Sequence, residues 1–168
     1  MSTNKDKINI ICQIKLKLES MRVVAIKSAE DAQIEANYHI GAMQSRYDTF
    51  KEEAQYLAEA QKIRILTINE NISVCDSLIH RLSSEFVVFD AVELGAVIFI
   101  KNERTGHCYR YFIVPEYYGG KNIVDGIEVI CVTDKAPVIS PFVGLNEGDY
   151  PDVYSDNDMA DCFVDKIF

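Results

Sequence analysis

The chain has 168 residues, 48% of them hydrophobic, and a formal net charge of -9. This length accommodates one or two small domains. An acidic chain without clustered Lys and Arg is poorly suited to direct binding of a nucleic-acid backbone. The charge lies mainly in the second half, because residues 1–86 carry a net charge of -1 and residues 87–168 one of -8. We therefore expect any partner of the second half to present a basic protein surface.

The cysteines and the hydropathy indicate the compartment. The five cysteines are widely spaced and no pair has the CxxC spacing of a zinc site, so neither a zinc site nor a disulfide framework is expected. They are Cys12, Cys75, Cys108, Cys131 and Cys162. No apolar signal core opens the chain and no stretch approaches a membrane span. These features predict a soluble cytoplasmic protein with reduced thiols and no membrane partner.

The first half has the pattern of a helical hairpin. From about Lys5 to Ser84 there is no proline, and Gly41 is the only glycine, which favours helix. Two runs of mainly apolar or small residues alternate spacings of three and four, as in a coiled-coil seam. The first is Ile11, Ile14, Leu18, Met21, Ala25, Ser28, Ala32, Glu35, His39 and Ala42. The second is Ala54, Ala58, Gln61, Ile65, Ile68, Ile72, Cys75, Ile79 and Leu82.

The two runs are nearly equal in length, which predicts an antiparallel pair of helices. We expect the turn within Ser45–Glu53, a segment that contains three good helix N-cap residues. Those residues are Ser45, Asp48 and Thr49. Folded at this point, the chain packs Ile11–Met21 against Ile68–Leu82. Small and polar seam residues then make the distal end of the hairpin thin, which suits a device that reaches into a partner.

A plainer interpretation of the same periodicity is a dimerising coiled coil whose seam serves only as core. From the spacing alone the two interpretations are equally favoured. In a dimer, Glu35 and His39 would be polar seam residues that set the register. A monomeric hairpin is the interpretation we carry forward.

The second half has the pattern of a small antiparallel β domain of about 80 residues. Short β-branched and aromatic runs predict strands at Phe86–Phe89, Val97–Ile100, Tyr109–Val114, Ile127–Val132 and Cys162–Phe168. Glycine-containing pairs such as Asp125-Gly126 mark the turns. The histidines lie apart from any nucleophile, so no catalytic constellation is predicted. The run Asp149, Asp152, Asp156, Asp158 and Asp161 lacks calcium-loop spacing and is interpreted as a solvated acidic face.

Several segments of the second half resemble, in order and spacing, the FKBP-like C-terminal domain of the Gre family of transcript-cleavage factors. Residues 92–100 resemble its opening strand, and Tyr111–Val114 its Y-x-I-V strand. Ile127–Val132 followed by Ala136-Pro137 resembles the I-S-V-x-S-P segment, with alanine in place of serine. Phe142–Asp149 matches L-L-G-x-x-x-G-D, although Pro141 stands where the family has a small residue. The resemblance thus implies two domains, residues 1–84 and 85–168, in an α+β fold.

The tip segment of the first half is similar to the family motif D-L-K-E-N-A-E-Y. Lys51, Glu52, Ala54 and Tyr56 fall in register with it, and Glu52 takes the place of the tip glutamate. The aspartate of the family motif aligns with Thr49 of this chain, and Asp48 lies one residue before that position. The structural alternative is that acidic residues near a helix start merely favour the helix dipole.

The resemblance implies a transcription elongation factor rather than an independent enzyme. Its partner is expected to be bacterial RNA polymerase, whose secondary channel the hairpin enters, and the 3′ end of the nascent RNA is reached through the polymerase. Asp48, Glu52 and the reserve ligand Glu53 would promote cleavage of backtracked RNA. Asp48 and Glu52 would help to hold a weakly bound Mg²⁺ completed by the polymerase, and the chain has no cofactor of its own.

The resemblance also implies a docking element on the β domain, formed by Asp134, Ala136 and Pro137. Two other functions stay open. The chain could be a non-cleaving regulator whose hairpin occludes the channel. This function stays open because Asp48 is displaced by one residue from the position of the tip aspartate. An FKBP-like isomerase is the third, although the sequence identifies no apolar substrate pocket.

Overall fold

The computed structural model describes residues 4–38, 44–84, 87–116, 118–153 and 159–168. Two long helices come first, α1 (Lys5–Tyr38) and α2 (Gln44–Leu82). Five strands follow: β1 (Val97–Asn102), β2 (Cys108–Ile113), β3 (Lys121–Val124), β4 (Ile127–Val132) and β5 (Cys162–Ile167). A 3-10 helix at Ser140–Phe142 lies between β4 and β5. The predicted α+β order of a helical pair and then a sheet is confirmed. No helix in the described part of the chain is long and apolar enough to cross a membrane.

The chain divides into two compact units. The hairpin unit is Lys15–Val74, and the β unit combines Met1–Ile14 with Cys75–Phe168. The β unit therefore includes the N-terminal turns of α1 and the C-terminal turns of α2. The division into folding domains at residues 84 and 85 stays a prediction.

In the hairpin unit, the two helices pack through the predicted seam. Its buried residues are Leu18, Ala25, Ala32, Ala58, Ile68 and Ile72. Arg22 of α1 donates a hydrogen bond from Nη1 to Oδ1 of Asn69 in α2, at 3.4 Å. This contact joins an early residue of α1 to a late residue of α2, so the helices are antiparallel as predicted. One predicted seam residue departs from the pattern, because Glu35 is exposed, and His39 lies outside the described residues.

The predicted position of the turn, Ser45–Glu53, is wrong. The whole segment is helical because α2 begins at Gln44, so the connection between the helices precedes it. Ser, Asp and Thr lower the stability of a helix interior by only a few tenths of a kcal/mol each, roughly, so N-cap residues do not by themselves end a helix. Glycine is the stronger breaker, and Gly41 precedes α2, although it lies outside the described residues.

In the β unit, the strands form one sheet in the order β3-β4-β2-β1-β5. β1 is antiparallel to β2 and to β5, and β3 is antiparallel to β4. The pair β2 and β4 is parallel, with Tyr111 beside Ile130, so the expectation of a wholly antiparallel sheet is corrected. The reason is β3, a four-residue strand that was not predicted. It turns back onto β4 through Asp125 and Gly126, both with positive φ, and this tight turn gives β4 the direction of β2.

The strand predicted at Phe86–Phe89 is also wrong where the structure describes it, because residues 87–90 are not in a strand. Phe89 is instead a buried residue that packs against the helices. Its ring lies 4.8 Å from Lys7 Nζ and 4.6 Å from Arg81 Cζ. Apolar residues in this segment therefore cover the helix ends of the β unit rather than adding to the sheet.

Gly95 fixes the approach of this segment to α2. Its φ is +90°, and a Cβ added there would lie 3.1 Å from Leu78 Cδ2 and 3.3 Å from Phe89 Cζ. Gly120 has a similar φ of +93° but no heavy atom within 4 Å of the same point. The two glycines therefore share the backbone requirement and differ in the space around them.

We predict that Gly95→Ala lowers the free energy of unfolding more than Gly120→Ala. Gly120→Ala should cost about 1–2 kcal/mol, the usual penalty for a left-handed alanine. Gly95→Ala adds overpacking, typically about 1–3 kcal/mol. Urea unfolding of both variants measures the difference. Equal losses in the free energy of unfolding would show that the Leu78 and Phe89 side chains move aside without cost.

Candidate functional sites on the hairpin and the β unit

The three carboxylates singled out from the sequence all lie within α2. Asp48 and Glu52 are one turn apart, and Glu52 is roughly 12 Å along the axis from the first residue of the helix, at about 1.5 Å per residue. Glu52 and Glu53 are exposed, whereas the side chain of Asp48 lies outside the described residues. Two of the predicted site residues are thus presented to solvent on a helix rather than on a turn.

Glu52 borders an open groove of about 630 Å³ between the helices. The groove is lined by Gln33 of α1 and by Glu52, Gln55, Tyr56, Ala58, Glu59 and Lys62 of α2. Most of these side chains are amides or charged groups, so the groove can exchange hydrogen bonds with a polar partner. It offers little apolar surface for a small organic substrate.

The described residues do not form a complete metal site. No three His, Cys, Asp or Glu side chains among them converge on one point that could hold an ion. Mg²⁺ requires near-ideal octahedral oxygen coordination, and one or two carboxylates on a single helix supply only part of it. These residues can therefore contribute to a Mg²⁺ site only where another molecule provides most of the ligands.

The seam near the carboxylates is weaker than the seam further along the helices. Ala58 contributes a small buried side chain, and Ala54 is only half-buried. Gln61 Oε1 is buried without a hydrogen-bond partner among the described residues. A buried acceptor of this kind costs about 1–3 kcal/mol. The helices are thus slender at this level, and their packing there contributes little to stability.

The predicted docking residues lie in a well-ordered loop after β4. The carbonyl of Ala136 accepts hydrogen bonds from the backbone N–H groups of Ile139 and Ser140, both at 2.8 Å. Ile139 and Phe142 are fully buried and anchor the loop in the core. Pro137 is exposed on this support, while Asp134 and Ala136 are half-buried. The three residues therefore share one turn that is anchored in the core, and Pro137 is the exposed member of the three.

The remainder of the loop explains two sequence features. Pro141 occupies the first turn of the 3-10 helix, where a missing N–H removes no helical hydrogen bond. Asp149 accepts a hydrogen bond from the backbone N–H of Asn146 through Oδ2, at 2.9 Å. This hydrogen bond caps the turn that contains Asn146 and Asp149.

Other reactive side chains are engaged in packing. None of the five cysteines, all of which the structure describes, is in a disulfide, and three of them are buried. Burial raises the pKa of Cys131 to about 11, and a hydrogen bond from Asn122 opposes the rise only partly. The rings of His107 and Tyr109 pack in a tilted arrangement, with their centroids 5.0 Å apart. A buried thiol with a raised pKa is a poor nucleophile, so Cys131 is a packing residue.

Comparison with known proteins gives structural similarity alone. No protein-family model and no curated protein sequence matches the chain. Its structure is similar to that of GreA factor homolog 1 (Gfh1) of Thermus thermophilus, with 16% identity, coverage of 98% of this chain and 96% of that chain, and a TM-score of 0.35. A second structure, of the transcription factor Gfh1, has 13% identity, coverage of 91% and 92%, and a TM-score of 0.36. Thermus aquaticus Gfh1 has 16% identity, coverage of 90% and 91%, and a TM-score of 0.36. Similarity at this level assigns no residue role and no activity.

Lys7 is the most strongly perturbed amine of the β unit. Its side chain is buried, and Nζ donates a hydrogen bond to the Phe168 carbonyl oxygen at 2.8 Å. Burial lowers the pKa of Lys7 to about 8, with the charge of Asp125 acting in the opposite direction. The amine thus ties α1 to the last residue of the chain at an electrostatic cost.

We predict that Lys7 makes stability depend on pH between about 8 and 10.5. The folded pKa lies below the unfolded value, so the unfolded state binds more protons in this window and stability rises as pH rises. The free energy of unfolding of the wild type relative to Lys7→Met should increase by roughly 1–3 kcal/mol across it, since one pKa unit corresponds to about 1.4 kcal/mol. Urea titrations at several pH values measure the difference. Because Cys131 titrates in both proteins, a difference that stays flat would contradict the assignment to Lys7.

Proposed function

We propose that this chain is a transcription factor that binds bacterial RNA polymerase and reaches through the secondary channel with its helical hairpin. The observation that carries the proposal is a slender antiparallel helix pair that exposes Glu52 and Glu53. The register of Lys51, Glu52, Ala54 and Tyr56 with the Gre tip motif supports the same assignment. A hairpin with a thin, weakly packed seam contributes little to stability as a hydrophobic core, but it fits a narrow passage.

The activity we propose is stimulation of the cleavage of backtracked RNA, with the polymerase as the enzyme. Asp48 and Glu52 would help to hold a Mg²⁺ ion shared with the polymerase, and that ion would supply positive charge at the phosphodiester that is cleaved. Asp48 and Glu52 contribute carboxylate oxygens that orient the attacking water, and Glu53 is the reserve group. Acidic residues of the polymerase provide the remaining ligands, because the described part of this chain offers too few.

Docking of the β unit is assigned to the loop that contains Asp134, Ala136 and Pro137. Its backbone hydrogen bonds and two buried anchors hold Pro137 in a fixed position before binding, which reduces the ordering cost of association. The net charge of -8 over residues 87–168 favours a basic partner surface and speeds encounter at low salt.

A second candidate function is occlusion of the channel without cleavage. The position of the carboxylates favours it, because α2 begins at Gln44 and Glu52 is set back by about two turns of helix. In this case the hairpin blocks access to the active site, and its carboxylates do not reach the reacting phosphate.

We predict that Asp48→Asn and Glu52→Gln each reduce stimulated RNA cleavage by about two orders of magnitude or more, while polymerase binding changes little. Both substitutions keep the size of the side chain, remove its charge and replace one carboxylate oxygen by an amide nitrogen. Glu59→Gln is the matched control, since Glu59 is an exposed carboxylate of the same groove two turns further along. Cleavage in stalled elongation complexes gives the rates, and co-purification gives the binding.

The outcomes separate the two functions. A wild type that slows transcription or competes with a cleaving factor, but promotes no cleavage, establishes occlusion. If the wild type cleaves and Asp48→Asn cleaves equally well, Glu52 and Glu53 form the better pair. Equal loss in Glu59→Gln would mean that general acidity, rather than a positioned ligand, is responsible.

We predict that the double variant Asp134→Asn, Pro137→Ala weakens binding to the polymerase by about tenfold or more and leaves the fold intact. Pro137 is exposed and Asp134 only half-buried, so neither change removes core packing. Asp152→Asn, an exposed acid elsewhere in the β unit, serves as the charge control. Binding of the wild type should also weaken with added salt. Full binding by the double variant would exclude this loop from the interface.

A further inference from the structure

One face of the sheet places cations and aromatic rings side by side in an acidic part of the chain. Residues 87–168 contain six basic and fourteen acidic residues. Phe99 of β1 pairs with Arg110 of β2 on one side and with Lys166 of β5 on the other. Side chains of paired residues lie on the same face of a sheet, and neighbouring strands are about 4.8 Å apart. Arg110, Phe99 and Lys166 therefore form a row across three strands, with the two cations flanking the ring.

Two further rows extend this face along the strands. Lys101 lies on the same face as Phe99, two residues further along β1, and it pairs with Phe163 of β5. On the other side, Phe168 exchanges backbone hydrogen bonds with Val97, at 3.0 Å and 2.9 Å. The rings of Phe99 and Phe168 meet edge to face, with their centroids 5.2 Å apart. We call the following six residues the basic aromatic face: Phe99, Lys101, Arg110, Phe163, Lys166 and Phe168.

The three cations of the basic aromatic face are available to an anion. Lys101, Arg110 and Lys166 are all exposed, and none of them forms an ion pair with an Asp or Glu that the structure describes. Lys121, on β3 of the same sheet, is by contrast held by Glu128 at 2.8 Å. An anion that binds at this face therefore meets three cations without breaking any described ion pair.

The rings of the face are held in place before any ligand binds. The guanidinium of Arg110 lies over the Phe99 ring, with Cζ 5.5 Å from the ring centroid. Phe168 is 47% exposed, and its carbonyl oxygen accepts a hydrogen bond from Lys7 Nζ at 2.8 Å. Together with the pairing to Val97, this contact fixes the backbone that carries the Phe168 ring. A flat ligand can thus stack on Phe168 at a reduced ordering cost.

Negative charges close to the face limit how much of a polyanion it can hold. The Phe163 ring packs against Tyr150, with centroids 5.4 Å apart, and the Tyr150 hydroxyl donates a hydrogen bond to Glu103 at 3.2 Å. Asp165, next to Lys166 in sequence, is the extra residue of β5 at a shift in its pairing with β1. Because like charges oppose association, the face suits a short anionic segment that contacts only a few cations.

We propose that the basic aromatic face binds a short segment of single-stranded nucleic acid. The phosphates of such a strand meet the cations, and its unpaired bases stack on the rings. An acidic peptide supplies the charge without the planar groups, and a duplex turns the faces of its bases inward. The net charge of the chain opposes nucleic-acid binding in general, but folding brings together three cations that are far apart in sequence. The proposal does not rest on the proposed function, because the isolated chain should bind such a strand without the polymerase.

Fluorescence anisotropy of the full chain with short labelled oligonucleotides tests this binding. Single-stranded RNA and single-stranded DNA of one sequence should both bind at low salt, and the tighter of the two indicates which strand the face prefers. The duplex of that sequence should bind more weakly than either strand. Log Kobs should fall with log salt at a slope of about -2, because each phosphate contact with a single strand contributes roughly -0.7.

Four substitutions separate the contribution of charge from that of stacking. Arg110→Ala and Lys166→Ala should each weaken binding by about threefold or more and reduce the magnitude of the salt slope by roughly 0.7. Lys121→Ala is the matched control, since it removes an exposed lysine from another strand of the same sheet, and it should change neither quantity. Phe168→Leu keeps an apolar side chain but removes the ring, so the affinity should fall by about fivefold or more through lost stacking. Circular dichroism and urea unfolding check that all variants are folded.

Polyglutamate as a competitor distinguishes an acidic polypeptide from a nucleic acid, and it should displace the labelled single strand poorly. The proposal is wrong if the wild type does not bind a single strand at low salt, or if the duplex or polyglutamate binds equally well. It is also wrong if Lys121→Ala loses as much affinity as Arg110→Ala, or if Arg110→Ala, Lys166→Ala or Phe168→Leu binds like the wild type.

Discussion

The packing of α1 against α2 through small side chains is the contact on which the presentation of the carboxylates depends. Alanines at the seam allow two helices to approach closely, and each buries little apolar surface, at roughly 25 cal/mol per Å². Ala25, Ala32 and Ala58 are buried in this way, and the unpartnered Gln61 Oε1 lowers the gain further. The helix pair is therefore narrow at the expense of stability. Small seam residues suit a helix pair that acts on a partner, but they would make a weak hydrophobic core.

The β unit is built on the opposite principle. Large side chains fill its interior, including Phe112, Phe142 and Ile139, and a Cβ at Gly95 would lie within 3.1–3.3 Å of Leu78 and Phe89. The loop after β4 is anchored in this interior by Ile139 and Phe142. Lys7 contributes to the stability of the β unit in a different manner. Its buried amine gains a hydrogen bond and a ring contact, but it loses hydration. The β unit is thus packed with large side chains, whereas the hairpin seam is built from small ones.

Periodicity made most of the fold predictable. The spacing of three and four residues located the seam, and β-branched runs located β1, β2, β4 and β5. The turn was misplaced because Ser45, Asp48 and Thr49 are good caps but are also tolerated inside a helix. β3 was missed because four residues carry too short a pattern, and the parallel pairing of β2 with β4 depends on β3.

The candidate site was less predictable than the fold. Spacing identified a carboxylate pair at helical separation, but only the resemblance to a family distinguished Asp48 and Glu52 from the other acids of α2. The docking residues were likewise chosen by resemblance, and the hydrogen bonds that hold their loop have no local sequence signal.

The central claim is that the hairpin enters the polymerase and brings its carboxylates near the active site. Site-specific photo-crosslinking tests this most directly, with a photoreactive residue at the exposed position of Glu53 and, as a control, at Glu70, which is exposed much further along α2. In backtracked elongation complexes, the probe at Glu53 should crosslink to the polymerase beside its catalytic centre or to the RNA 3′ end, and the probe at Glu70 should not. Crosslinks from Glu53 only to the outer surface of the polymerase, or none above background, would contradict the account.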